Sequence, residues 1–248
     1  MTDLVRVERR GEVALVRIDR PPANAMDLEL LRDGLAARDE LAAEGPGAVV
    51  LTGREQFFSA GVDLKVAPTL DRDGQREMVD GINRLFSGWY SFPRPVVCAV
   101  NGHAIAGGLI LALCGDYRVC ASGASLGLTE LKAGIPYPGA AMVAVRRELS
   151  ARAARLLVLQ AQLIDPMQAH ELRAVDEVVE PDSVVERALE VAGELAALPH
   201  EAYERVKRQL RGPVIAEMEA AARDDPMLAG WLGGESAGAA AAILERRD

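Results

Sequence analysis

Two short runs constrain the fold more than any other feature. "GAVVLTG" at 47–53 and "PRPVVCAVNG" at 93–102 are continuously apolar, rich in β-branched residues, and bounded by glycine or proline. Such runs read as short buried strands. The stretch between them, 75–90, has helical character. Upstream, "LVRVERRGEVALVRID" alternates apolar and polar residues on both sides of "RRGE", a hairpin pattern. After the break "PPAN", the segment "MDLELLRDGLAARDELAA" puts Leu28, Leu31 and Leu35 on one helical stripe, with Asp27 as its cap.

Downstream, "YRVCA" and "SLGLT" read as two further short strands. From Pro138 onward "AAMVAVRRELSARAARLLVLQAQ" and "PDSVVERALEVAGELAAL" read as helices, and "ESAGAAAAILERRD" as a closing helix weakened by Gly238. The alternation predicts an α/β class followed by a helical C-terminal third. No repeat, low-complexity linker or composition shift divides the chain, so 1–248 is expected to be a single domain.

Composition excludes several functions. A formal net charge of −9, with lysine only at 65, 132 and 207, argues against sequence-independent nucleic-acid binding. Local arginines could still serve an anionic small ligand. The N-terminal "MTDLVRVERRGEV" has no hydrophobic signal core, and no apolar run reaches the ~20 residues of a membrane span. Cys98, Cys114 and Cys120 read as buried reduced thiols. His103, His170 and His200 are too scattered for a zinc site. The expectation is a cytoplasmic, metal-free chain.

Three stretches could carry chemistry. In "FFSAGVDLK", Gly61 allows another group to approach the backbone, although an ordinary connection with a positive φ explains it equally. "NGHAIAGGLIL" opens an apolar helix at Gly107–Gly108. It reads either as plain core or as a source of helix-entry amides with no internal partner. One amide from each loop could stabilise a developing oxyanion. Glu130 in "LGLTELKAGIP" follows an apolar strand. It is either a solvated loop glutamate or a carboxylate entering a dry pocket, where desolvation would raise its pKa. Asp63 reads as a loop cap, Asp116 as structural and His103 as a packing residue. Tyr137 and Trp231 read as aromatic packing, or as contacts to an acyl chain or a neighbouring subunit. No Gly-x-Ser-x-Gly elbow or Gly-x-Gly-x-x-Gly fingerprint is present.

Taken together, "FFSAGVDLK", "PVVCAVNGHAIAGG" and "LGLTELKAGIP" resemble, in order and spacing, the enoyl-CoA hydratase/isomerase, or crotonase, superfamily, and the resemblance extends to "ILERRD". It implies a spiral of ββα units over about 1–190 and a helical oligomerisation region over about 191–248, assembled as a trimer or a dimer of trimers. It also implies an acyl-CoA thioester substrate, with coenzyme A part of the substrate and no separate cofactor. Carried over by motif, the oxyanion amides are Val62 and Gly107. Ala60, Gly61, Val62, Asp63, Leu64 and Lys65 line the substrate site with Gly107 and Ile110, and Glu130 is the acid/base.

This sequence departs from the family's hydratases at one position. They carry a water-binding glutamate three residues after the oxyanion glycine, where this chain has Ile110. The pattern, with "CGDYRV" and "GLTE", is similar to the Δ3,Δ2-enoyl-CoA isomerase branch. Dienoyl isomerases use a further carboxylate eight positions beyond the glutamate, where Pro138 stands. The resemblance therefore implies a double-bond shift from 3-enoyl-CoA to 2-enoyl-CoA. A hydratase using one glutamate and a non-catalytic acyl-CoA binder are the other readings.

Overall fold

A computed structural model describes residues 4–229. In chain order the elements are β1 (Val5–Arg10), β2 (Val13–Ile18), α1 (Leu28–Glu44), β3 (Ala48–Thr52), β4 (Phe57–Ser59), α2 (Arg72–Tyr90), β5 (Val96–Val100), β6 (His103–Ile105), α3 (Gly107–Leu113), β7 (Tyr117–Ala121) and β8 (Leu126–Gly127). They continue as α4 (Gly139–Glu148), α5 (Ala151–Ala154), β9 (Leu163–Ile164), α6 (Pro166–Glu171), β10 (Glu177–Val179), α7 (Val184–Ala196) and α8 (His200–Arg223).

The strands form two sheets. The larger runs β1-β2-β3-β5-β7-β10, antiparallel at the β1–β2 hairpin and parallel thereafter. The smaller runs β4-β6-β8-β9, with only β9 antiparallel. Three successive turns therefore share one plan: β3-β4-α2, β5-β6-α3 and β7-β8-α4. Each places its first strand in the large sheet and its second in the small one. This is the ββα spiral that the family resemblance implies.

All five residues of β3 and all five of β5 are buried, as a parallel sheet covered on both faces requires. Val16, Ile18 and Leu51 of the large sheet gather with Leu30 of α1, Leu85 and Trp89 of α2, and Leu111 of α3. Helix α7 packs along β2, β3, β5 and β7 through Val184, Ala188, Val191 and Ala192. Asp27 caps α1 by accepting from the Leu30 amide, as its position in the sequence predicts. The three cysteines are free and buried, and burial pushes the Cys98 and Cys120 thiols up to about 12.

Several elements differ from the sequence expectation. The "FFSAGVDLK" loop begins with β4, and β6 lies within "NGHAIAGG"; both are too short to show a period of two. "SLGLT" contributes only Leu126–Gly127 to a strand. The helix expected from Pro138 stops at Leu149. Ser150 then caps α5 by accepting from the Ala153 amide, and a π-turn follows at Arg155–Leu159. The terminal segment "ESAGAAAAILERRD" and Trp231 lie outside the described residues.

A buried ionic knot joins α8 to the sheet. Asp116 Oδ2 accepts from the Val96 amide at 2.8 Å and from Lys207 Nζ at 2.6 Å, while Arg211 Nη2 lies 3.3 Å from Oδ1. Arg211 also donates to the carbonyls of Tyr90, Cys114 and Gly115, and its guanidinium stacks 4.1 Å from the Tyr90 ring centroid. The structural reading of Asp116 is therefore correct, and its partners come from about 90 residues downstream. Asp116→Asn leaves two buried cations without their counter-charge. Removing one member of such a group costs about 3–5 kcal/mol, so urea unfolding of this variant should show a loss of that size.

Candidate functional site

A cleft of about 370 Å³ opens where three loop segments meet. It is lined by Arg20, Pro22, Ala23 and Ala25, by Ala60 and Val62 to Lys65, by Ile105 and Ala106, and by Thr129, Glu130, Ala133 and Ile135. The spiral explains the convergence. Segments 60–65, 105–106 and 129–130 each follow a small-sheet strand, β4, β6 or β8, and those strands lie side by side in parallel.

The first two segments are held together by backbone. Gly61 adopts φ +79°, and a Cβ there would stand 2.9 Å from the Gly107 nitrogen and 3.0 Å from the Ile105 carbonyl. Gly108 allows a closer approach still, since a Cβ on it would lie 2.1 Å from the Ser59 carbonyl oxygen. Any side chain at that position would separate α3 from the end of β4. Ala106 closes the turn into α3 with φ +53° and ψ −127°, a conformation that non-glycine residues rarely adopt. Strain of this type gathers at functional sites, where the surroundings enforce it.

Segment 60–63 is also bound to 23–27. Met26 donates to the Gly61 carbonyl at 2.7 Å, Asp63 donates to the Met26 carbonyl at 2.8 Å, and Ala60 donates to Ala23 at 3.0 Å. In an extended backbone successive N–H groups point to opposite sides. The Asp63 amide faces Met26, so the Val62 amide faces the other way. Among the described residues, neither the Val62 nor the Gly107 amide donates to another group of the chain. Val62 lines the cleft, and Gly107 lies against the Gly61 backbone beside it, so the two unpaired donors belong to neighbouring backbone.

Arg20 is a site residue that the sequence reading missed. It lies 2.7 Å from Asp27 Oδ2 and 2.9 Å from Asp63 Oδ2, and it donates to the Ala25 carbonyl. Asp63 also accepts from the Lys65 amide, which agrees with its reading as a loop cap. The "RPPAN" text carried the signal for Arg20, as an arginine beside a chain break with two capping aspartates nearby. Only the tertiary pairing reveals its place in the cleft.

Glu130 opens the 3₁₀ turn Glu130–Ala133. Its Oε2 is buried and has no hydrogen-bond partner, and the same is true of the Tyr137 hydroxyl oxygen. Burial pushes the Glu130 carboxyl from 4.5 up to about 7, offset in part by its own backbone N–H and by the nearby Tyr137 hydroxyl. The side chain as a whole is half-buried with Oε2 itself out of contact with solvent, so Glu130 is not a fully solvated loop glutamate. Tyr137 packs partly against the core, as expected, but its polar end lies at the carboxyl, which periodicity could not reveal.

The remaining candidates fall as follows. Ala60, Val62, Asp63, Leu64 and Lys65 line the cleft, while Gly61 and Gly107 form the backbone contact beneath it. Ile110 is 1% exposed, within the core, and is not among the cleft-lining residues. His103 accepts from the Ser125 amide and packs edge-on against Phe57, a packing role as expected. None of the described helices is long and apolar enough to cross a membrane.

Comparison with known proteins agrees with this geometry. The family model described as "Enoyl-CoA hydratase/isomerase" matches residues 8–231. A protein of Mycobacterium avium named as a probable enoyl-CoA hydratase is 34% identical over 182 residues, covering 73% of this chain and 70% of its own length. A Mycobacterium tuberculosis structure, also described as a probable enoyl-CoA hydratase, superposes with a TM-score of 0.85 at 31% identity, covering 89% of this chain and 94% of the other. Human mitochondrial Δ3-Δ2-enoyl-CoA isomerase superposes with a TM-score of 0.88 at 25% identity, over 99% and 98% of the two chains. With its ββα spiral and the motifs that meet at the cleft, this chain belongs to the enoyl-CoA hydratase/isomerase family, within the crotonase superfamily, and is an acyl-CoA enzyme of that family.

Proposed function

We propose that the enzyme shifts the double bond of a 3-enoyl-CoA to give the 2-enoyl-CoA, with Glu130 as its single acid/base. The observation that carries this reading is the Glu130 carboxyl oxygen, buried in the cleft without a partner and poised near neutrality. Ionised Glu130 removes a proton from C2, and the electron pair of that C–H bond moves into the thioester to form an enolate. The Val62 and Gly107 amides receive the enolate oxygen, where charge develops only as the reaction proceeds. When the enolate collapses, a C2–C3 double bond forms and Glu130 returns the proton to C4. Nothing is oxidised and no water is consumed, so the scheme needs neither cofactor nor metal. The coenzyme A moiety arrives with the substrate.

Ile110 supports isomerisation over hydration. A buried apolar side chain three residues after Gly107 offers no acceptor to hold a water molecule. The hydratase name of the M. avium relative favours the second reading, water addition to 2-enoyl-CoA by Glu130 alone, whereas the M. tuberculosis protein is described both as a probable hydratase and as an isomerase. Separate incubations with 3-hexenoyl-CoA and 2-hexenoyl-CoA distinguish the two. The conjugated 2-enoyl product from the first supports isomerisation, and a 3-hydroxyacyl product from the second supports hydration. Binding of both with no product points to a non-catalytic acyl-CoA binder.

The buried reduced cysteines lead us to place the enzyme in the cytoplasm, and the resemblance leads us to assign a trimer or a dimer of trimers. Leu159, Leu163 and Met167 are exposed near one another in sequence, as are Val206 and Leu210 on α8, and such side chains suit subunit contacts. Sedimentation should show a trimer or hexamer at micromolar concentration, and a stable monomer would overturn this assignment.

Glu130→Gln keeps the size of the side chain but cannot carry the proton. Isomerase turnover should fall by about 10²- to 10⁴-fold, while calorimetric affinity for the acyl-CoA stays near wild type.

The pH dependence follows from the raised carboxyl. The base must be ionised, so kcat/KM should rise with pH to a plateau, with its midpoint near pH 7. Stability runs the other way. The native state holds this proton more tightly than the unfolded chain does, so ionising Glu130 destabilises the fold as pH rises from 4.5 to about 7. Glu130→Gln should therefore be more stable than wild type at pH 8.5 by about 1–3 kcal/mol, with the gap closing toward pH 5. Denaturant melts at the two pH values measure this.

A further inference from the structure

We infer that Tyr137 is a positioning residue for the acid/base: its hydroxyl donates to Glu130 Oε2, holds the carboxylate in one orientation and leaves Oε1 free for the substrate proton. This deepens the isomerase reading and rests on Glu130 being the base. The geometry is local. After the 3₁₀ turn, Gly134 adopts φ +64° and the Ile135 amide donates back to the Glu130 carbonyl at 3.0 Å. The chain thus reverses and brings Tyr137 back toward Glu130. Both oxygens at this meeting point are buried and unpartnered among the described residues. An unpaired buried hydroxyl and an unpaired buried carboxyl are each costly. Brought near one another, they are a complementary donor and acceptor.

The hydrogen bond also answers a chemical need. Desolvation alone would keep Glu130 protonated at neutral pH, and a protonated carboxyl cannot begin the reaction. A donor favours the ionised form and lowers the pKa. The influence of Tyr137 on Glu130 has this sign, and the effect on the phenol is reciprocal, pushing it upward. The other charged groups nearby stand apart from this pair. Arg20 and Asp63 are paired with one another on the other cleft-forming segments, where Lys65 also lies. Lys132, on the same turn as Glu130, is exposed, as is Arg155 of the π-turn packed against it. Tyr137 is the titratable side chain that acts on Glu130.

The test is Tyr137→Phe, which keeps the ring and removes the donor. The kcat/KM profile for 3-hexenoyl-CoA should move its acid limb upward by about one pH unit, the size expected from losing a hydrogen bond to a charged group. Activity should then fall about tenfold at pH 6 and return close to wild type at pH 9, with KM little changed. A uniform loss at every pH, or an unmoved midpoint, would overturn the proposal. A second readout does not depend on the reaction. The carboxyl stretch of Glu130, followed through a pH titration by infrared difference spectroscopy against Glu130→Gln, should titrate higher in Tyr137→Phe. If wild type fails to isomerise the substrate but this spectroscopic shift is present, the isomerase reading fails while the pairing stands. If isomerisation proceeds and neither midpoint moves, the pairing fails while the isomerase reading stands.

Discussion

The approach of the Gly108 backbone to the carbonyl of Ser59 sets the geometry on which the rest of the site depends. No side chain fits between the start of α3 and the end of β4. The same absence at Gly61 lets the next segment press against Gly107. Parallel pairing of β4, β6 and β8 brings the loops into line, and the glycines remove the last few ångströms of separation. Backbone amides can then point into a cleft as fixed dipoles, and fixed dipoles need no reorganisation when charge appears. Helix α3 contributes no reactive side chain. All seven of its residues are buried, and that burial makes its first amide rigid.

Rigidity at the front of α3 depends on anchoring at its back. Arg211 satisfies the carbonyls of Cys114 and Gly115 just beyond the C-terminus of α3, and Asp116 then ties that residue and Lys207 to the edge of β5. Those carbonyls would otherwise be buried and unpaired, a recurring problem at helix ends. Helix α8 is therefore tied to the end of α3. Lys207 accepts a heavy desolvation penalty in this role, which pulls its ammonium down to about 8 despite the adjacent carboxylate.

Glu130 illustrates the opposing demands of stability and chemistry. A carboxyl kept from water and left without a firm partner weakens the fold above its pKa, yet that condition is what the proposed role of proton carrier near neutrality requires. The Tyr137 hydroxyl, on the chain just beyond that turn, moderates the conflict. The proposed reaction thus draws on backbone donors that are unpaired by geometry and one carboxylate that is unpaired by burial.

The sequence by itself determined the hairpin, the buried strands β3 and β5, and helices α1 and α2, while Val62, Gly107 and Glu130 were singled out by the family resemblance of their motifs. Long apolar runs and capping residues act over a few neighbouring positions, so their physics is written locally. It could not show β4, β6, β9 or β10, which are two or three residues long and exist because neighbouring strands supply hydrogen-bond partners. Nor could it place Arg20 between Asp27 and Asp63, or the Tyr137 hydroxyl against Glu130, since both pairings depend on how the chain reverses and stacks. The side chain of Ile110 could be identified from sequence as apolar, but its burial in the core behind the cleft was fixed only when α3 packed. Local sequence set the strands, helices and loop residues; the parallel stacking of the spiral decided which of those loops meet, because contact between residues far apart in the chain is set by packing rather than by spacing.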